Sequence, residues 1–468
     1  MLRVDAGSGG RYCDGMSRRS FVQLGVAGMA AAGLGDVARA KQSSSRGNDN
    51  AAIMIWLDGG PSHLDTYDMK PKAPAEYRGI WMPTSTNVPG IEISELFPLQ
   101  AQHADKFSIV RSLHHDTGGH FHGGHYMLTT KSLGPNNTGT FPSIGSIVAR
   151  ERGPRRSGMP SYISVPVASS IGLRPGYFGG NWMGMQYDPF QTGGDPNNAN
   201  FKVANLNLAS GMTVDRLSSR RDLNQRLDRI SKTVERGTLF EAMDKFDRDA
   251  FEFVSGAAAR KAFDINSEDP KIRDGYGRSN WGQSTLLARR LVEAGSTFVT
   301  VHFGGWDHHW NLEPGYKSVL PRVDMAVSGL LKDLSDRGML ESTLVILCGE
   351  FSRTPRMNDG GNGGPPGSKG TPGRDHWGNS LFCLLAGGGI RGGQVVGSTN
   401  ARGERPLTRA VKPCNLHATI YKALGMDPTL HLLDHQGRPT PVLEDCLLYT
   451  SDAADERSSV DLGGRRII

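Results

Sequence analysis

Cysteine is scarce in this chain, with five in 468 residues and no two in a CxxC pair. That argues against a disulfide framework and a thiolate zinc site. Cys348, Cys383 and Cys414 read as buried small apolar residues rather than bridges. Charge of one sign is also missing. The net charge is +6, with no Lys/Arg run and no alternation of basic and aromatic residues, so nucleic acid is excluded as a partner. The run from Val22 to Leu34 is too short and too rich in glycine to span a bilayer, and no stable membrane span is expected. There is no G-x-S-x-G elbow, which argues against a serine-hydrolase triad built on Ser62, His63 and Asp65. The glycine-rich loop 360–373 lacks a P-loop's order, because Lys369 is followed by glycine.

What is present is a chain with a real core. Hydrophobic residues make up 37% and charged residues 21%, while Gly 61 and Pro 26 promise many loops. Near the start, Arg18 and Arg19 precede Phe21, a short apolar run and Ala38-Arg39-Ala40. This resembles a twin-arginine export signal over 1–40, with Met16 as its start. It implies passage through the twin-arginine export machinery to the periplasm or the extracellular space. Residues 41–50 form a polar linker. At the other end, 446–468 (CLLYTSDAADERSSVDLGGRRII) resembles translated adapter sequence and is set apart as non-native.

Between these ends, short apolar runs alternate with helical patterns. AAIMIWLDGG from Ala51, FSIVRSL from Phe107, SYISVPV from Ser161, STFVTVHFGG from Ser296, TLVILCG from Thr343 and LFCLLAGGG from Leu381 read as strands. Asn280 to Ala294, Ser318 to Gly338 and Leu416 to Gly425 read as amphipathic helices with glycine stops. This order predicts one α/β domain over 51–445, with a mainly parallel central sheet and helices on both faces. A helical insertion is expected at about 213–263.

In such folds the site lies beyond the carboxyl ends of the strands. Three strands deliver ligating groups there: Asp58 after IMIWL, Asp307, His308 and His309 after FVTVHFGGW, and Glu350 after LVILCG. The segment GRDHWGN adds Asp375 and His376. Carboxylate with imidazole is ligation chemistry for zinc, manganese or iron. Taken singly, Asp58 could cap its Gly59-Gly60 turn, Glu350 could pair with Arg353 or Arg356, and Asp375 with Arg374. The set of strand exits is what points to a metal. A further stretch, SLHHDTGGHFHGGHYMLTT (Ser112 to Thr130), holds five of the fourteen histidines.

The pieces LDGGPSHLDTYDMKP, GGWDHHWN, GEFSRTPRMN, GRDHWGN and HLLDHQGRP, in this order, resemble the domain of unknown function 1501 family. That family is grouped with the alkaline phosphatase and sulfatase superfamily. The resemblance covers 51–443. It implies an alkaline phosphatase/sulfatase-like fold and hydrolysis of a sulfate or phosphate ester, on a small molecule or a polysaccharide. It also implies one or two divalent ions, zinc or manganese. It casts Asp58, Asp307, His309, Glu350 and His376 as metal ligands, and Arg353 and His308 as substrate-binding residues.

The chain departs from the superfamily pattern at two points. Glu350 stands where an aspartate is usual, and the nucleophile position falls near His120 with no cysteine at hand. Three roles stay open for that loop: Thr117 as the attacking hydroxyl, a histidine as the group acceptor, or His120 and His122 as ligands with water attacking. The last is preferred here. These departures also leave a second reading, a non-catalytic surface or glycan-binding protein on the same fold.

Overall fold

The structure is a computed structural model that describes residues 49–133, 141–170, 176–203, 206, 216, 219, 251–361, 365–434 and 436–444. The export signal, most of the linker and the C-terminal tail lie outside the described residues. So does most of the expected insertion at 213–263. Of that segment, 251–255 and Ala257–Phe263 are helical.

The apolar runs supply the central strands of an eight-stranded sheet, covered on both faces. The strands are β1 (Ala51–Asp58), β2 (Phe107–Leu113), β3 (Tyr162–Val165), β4 (Phe190–Gln191), β5 (Phe298–Gly304), β6 (Thr343–Cys348), β9 (Leu381–Ala386) and β10 (Gln394–Val396). The labels β7 (Ser352–Arg353) and β8 (His376–Trp377) belong to a separate two-stranded ladder. The sheet order is β10-β2-β9-β6-β1-β5-β3-β4. All neighbours run parallel except β9, which is antiparallel to both β2 and β6. The sheet is therefore mainly parallel, as the alternating strands and helices imply.

Every residue of β1 is buried. Its pleat sends Ala51, Ile53, Ile55 and Leu57 into one core layer and Ala52, Met54 and Trp56 into the other. A strand covered on both faces needs a continuous apolar run, not an alternating one. On the first face lie α3 (Asn280–Ala294) and α4 (Leu312–Asp336). The second face is covered by α1 (His120–Thr129), α2 (Ile144–Arg152) and α5 (Pro413–Ala423). Helix α4 starts earlier than its sequence pattern suggests. Pro321 lies inside it on an exposed position, where the carbonyl that loses its i→i−4 donor can meet water. No helix among the described residues is long and apolar enough to cross a membrane.

Candidate metal centre

Strands β6, β1 and β5 are adjacent and parallel, so their carboxyl ends open on one edge. Asp58 closes β1, Asp307 follows β5 by three residues and Glu350 follows β6 by two. The turn after β1 is tight. Gly59 has φ +118°, and a Cβ there would meet the Asp307 and Trp306 backbone nitrogens at 2.7 and 2.8 Å. Only glycine lets the two strand exits approach so closely. The β7–β8 ladder then brings His376 opposite Arg353.

Asp307 is the hub. Its Oδ1 lies 3.0 Å from His309 Nε2 and 3.1 Å from His376 Nε2. The two Nε2 atoms are 3.0 Å from each other. The opposite nitrogens are already committed. His376 Nδ1 donates to the Gly118 carbonyl at 2.8 Å, and His309 Nδ1 donates to Asp375 Oδ1 at 2.7 Å. A carbonyl or a carboxylate can only accept, so both imidazoles carry Nδ1–H and turn an Nε2 lone pair inward. Two such lone pairs and a carboxylate oxygen facing one another call for a positive charge among them: a proton on His309 or a cation.

His120, the first residue of α1, extends the cluster. Its Nε2 is 3.4 Å from Asp307 Oδ2 and its Nδ1 is 2.7 Å from Glu350 Oε1. His120, Asp307 and His376 offer ligand atoms within 4.8 Å of one another. Burial opposes charge on His120, but hydrogen bonding to Asp307 and then Glu350 outweighs it and pushes the imidazole up to about 9. Burial likewise opposes the Asp307 carboxylate. The imidazoles of His120, His309 and His376 around it, with the Arg353 charge, hold it far below the usual carboxylate range. His309 is raised, first by Asp307, against burial, with Asp375 adding to the rise. Glu350 is fully buried and raised by that burial. The His120 hydrogen bond pulls it back, while the neighbouring Asp58 charge adds to the rise. Its Oε1 accepts the Gly59 N–H at 2.9 Å, and its Oε2 is buried with no hydrogen-bond partner.

The family profile described as a protein of unknown function, DUF1501, matches residues 49–446. The chain belongs to the DUF1501 family. No curated protein matches it. Among solved structures it is similar to the alkaline phosphatase of the Antarctic bacterium TAB5, with 11% identity, TM-score 0.38, 81% of this chain and 99% of that one covered. It is also similar to the phosphonate monoester hydrolase SpPMH of Silicibacter pomeroyi, with 10% identity, TM-score 0.39 and coverage of 81% and 74%. The PsFucS1 sulfatase of Pseudoalteromonas sp. matches at 14% identity and TM-score 0.34, with coverage of 83% and 70%.

Of the groups singled out in the sequence, Asp307, His309, His376, His120 and Glu350 come together. Asp58 is near enough for its charge to raise Glu350, and its own partner is not evident in the sequence: its Oδ2 is 3.1 Å from His302 Nε2, while Trp56 Nε1 donates to Oδ1 at 3.3 Å. Three assignments need correction. Arg353 does not face a substrate. It is fully buried, donating to Asp307 Oδ1 at 2.6 Å, to the Gly60 carbonyl at 2.7 Å and to Gly59. It positions Asp307. His308 turns away from the cluster and packs edge-on against Tyr316 of α4, ring centres 5.3 Å apart. His122 is exposed, two residues further along α1 than His120 and so on another side of the helix.

Thr117 lies just before α1. Its Oγ1 is 3.1 Å from His115 Nδ1, and the His115 Nε2–H donates to the Glu350 carbonyl at 2.7 Å. His115 is buried, and burial lowers its proton affinity, keeping the imidazole neutral. In sequence, His114 and His115 rank behind His120 and His122 as candidates. Nothing in the adjacent pair His114-His115 says which one faces inward.

Proposed function

We propose that this chain is an exported metal-dependent hydrolase of sulfate or phosphate esters. The observation that carries the reading is the convergence of Asp307 Oδ1, His309 Nε2 and His376 Nε2 at 3.0–3.1 Å with both Nδ1–H groups already committed. Asp307, His309 and His376 would hold a first divalent ion. Asp58 and Glu350, whose buried Oε2 lacks a hydrogen-bond partner, would hold a second. The mixture of carboxylate and imidazole suits zinc or manganese. A bound ion would supply Lewis-acid charge to the ester oxygens.

The chain's own residues do the rest. Arg353 fixes the Asp307 carboxylate. Asp375 and the Gly118 carbonyl fix the tautomers of His309 and His376. Thr117 would be the attacking group, because the proton of its hydroxyl has an acceptor at His115 Nδ1. The backbone bond from His115 to Glu350 holds that acceptor in place. His120 holds a proton between Glu350 and Asp307.

Metal analysis of the purified chain, combined with a panel of sulfate and phosphate esters, tests this. Asp307→Asn should lose bound metal and turnover together. Thr117→Ala should keep the metal and lose turnover. Wild-type protein with no bound metal, and no turnover sensitive to Asp307→Asn, would leave only a non-catalytic binding role.

A further inference from the structure

Cys348 ends β6, and Cys383 lies in β9, the one strand of the described sheet that runs against its neighbours. The register pairs Val345 with Ala386, Ile346 with Leu385 and Leu347 with Leu384. One step further, Cys348 faces Cys383. Both side chains enter the same core layer, 1% and 0% exposed. The Cys383 thiol donates to the Leu384 carbonyl at 3.6 Å, and both thiols are free in this structure. Directly opposed residues of an antiparallel pair have Cα atoms about 4.5 to 5.5 Å apart. A disulfide needs roughly 4.4 to 6.8 Å.

We propose that Cys348 and Cys383 close a cross-strand disulfide when the chain folds under oxidising conditions. The bond would close the loop 349–382, which carries Glu350, Arg353, Asp375 and His376. It would staple the two strands from which this half of the metal centre is hung, although the inference does not depend on the reading of that centre. The oxidant is a low-molecular-weight disulfide such as oxidised glutathione. One protein thiolate attacks it, forming a mixed disulfide and releasing one glutathione thiol. The second protein thiolate then displaces the other glutathione. One S–S bond forms, one breaks, and the two protons leave the protein thiols. Both sulfurs are buried, so the bond must close during folding, before the core excludes the oxidant.

The test is synthesis of the full chain in the presence of oxidised glutathione or of a reducing dithiol. The soluble monomer is isolated, alkylated in denaturant, digested and weighed. The oxidised monomer should yield the Cys348 and Cys383 peptides joined and two hydrogens lighter than their sum, with neither alkylated. Its guanidinium midpoint should exceed that of the reduced monomer, and Cys348→Ala and Cys383→Ala should abolish the difference. Oxidised monomer with both cysteines alkylated, or with Cys383 joined to Cys414, would overturn the proposal. So would oxidised synthesis that yields monomer from Cys383→Ala but none from the wild type.

Discussion

Asp375 decides which nitrogen His309 offers. Its Oδ1 accepts the Nδ1–H at 2.7 Å. Asparagine in its place would keep a weaker acceptor and lose the charge that orients the ring. Removing such an outer partner typically weakens a metal site by about 10- to 100-fold. We therefore expect Asp375→Asn to bind zinc or manganese about 10- to 100-fold more weakly than wild type by chelator competition, while His309→Ala binds weaker still. Unchanged affinity in Asp375→Asn would mean that the tautomer of His309 is set elsewhere. The strand-exit residues were legible in sequence because an acid or imidazole directly after a buried apolar run has few places to go but the sheet edge. His302 was not legible. It sits inside FVTVHFG, where a histidine reads as one more core residue, and only the register opposite Trp56 places it beside Asp58. Arg353 misled for the opposite reason: a cation near a predicted site suggests an anionic substrate, and its full burial is invisible in one dimension.

The segment that presents Asp375 and His376 has little secondary structure of its own and is held from behind. Arg374 and Asp65 are both fully buried and paired at 2.9 Å. Arg374 also donates to the carbonyls of Arg78 at 2.8 Å and Thr354 at 3.1 Å, and to that of Pro355. Asp65 accepts from Ser62 Oγ at 2.5 Å and from the Ile80 N–H at 2.8 Å. Breaking such a pair leaves one buried charge without its partner, at a cost of about 3–5 kcal/mol. Arg374→Met and Asp65→Asn should each lose about that much stability in guanidinium unfolding. The double variant should lose clearly less than their sum. Strict additivity would show that the two residues do not act as a pair. At this level the sequence displayed most of the elements. Each strand of the predicted set and the helix Asn280–Ala294 follow from apolar runs and caps. Strand direction did not. LFCLLA announces a buried strand in either sense, and only the pairing shows β9 running against both β2 and β6.

Taken whole, the molecule buries titratable groups of opposing effect, and their balance fixes its response to acid. His63 and His417 are fully buried, and burial lowers each to about 4. An unfolded chain protonates a histidine near 6.5. Below that pH the unfolded state gains protons that the folded state refuses, so the stability associated with each neutral histidine is present above about 6.5 and lost as pH falls toward 4. Each is worth on the order of 3 kcal/mol at the acid end. Asp324 works the other way. Burial raises it to about 6, against the pull of its bonds to the Leu99 and Gln100 N–H groups. Between about 4 and 6 the folded state holds a proton that the unfolded state has released, so stability from this group grows as pH falls, by roughly 3 kcal/mol. Two histidines against one aspartate leave a net loss on acidification. The guanidinium midpoint should therefore fall from pH 6.5 to pH 4. His417→Gln, which can keep a donor for the Met127 carbonyl that His417 Nε2 contacts at 2.7 Å, should flatten that fall. Asp324→Asn should steepen it. A His417→Gln profile parallel to wild type would show that His417 takes up its proton equally well in both states.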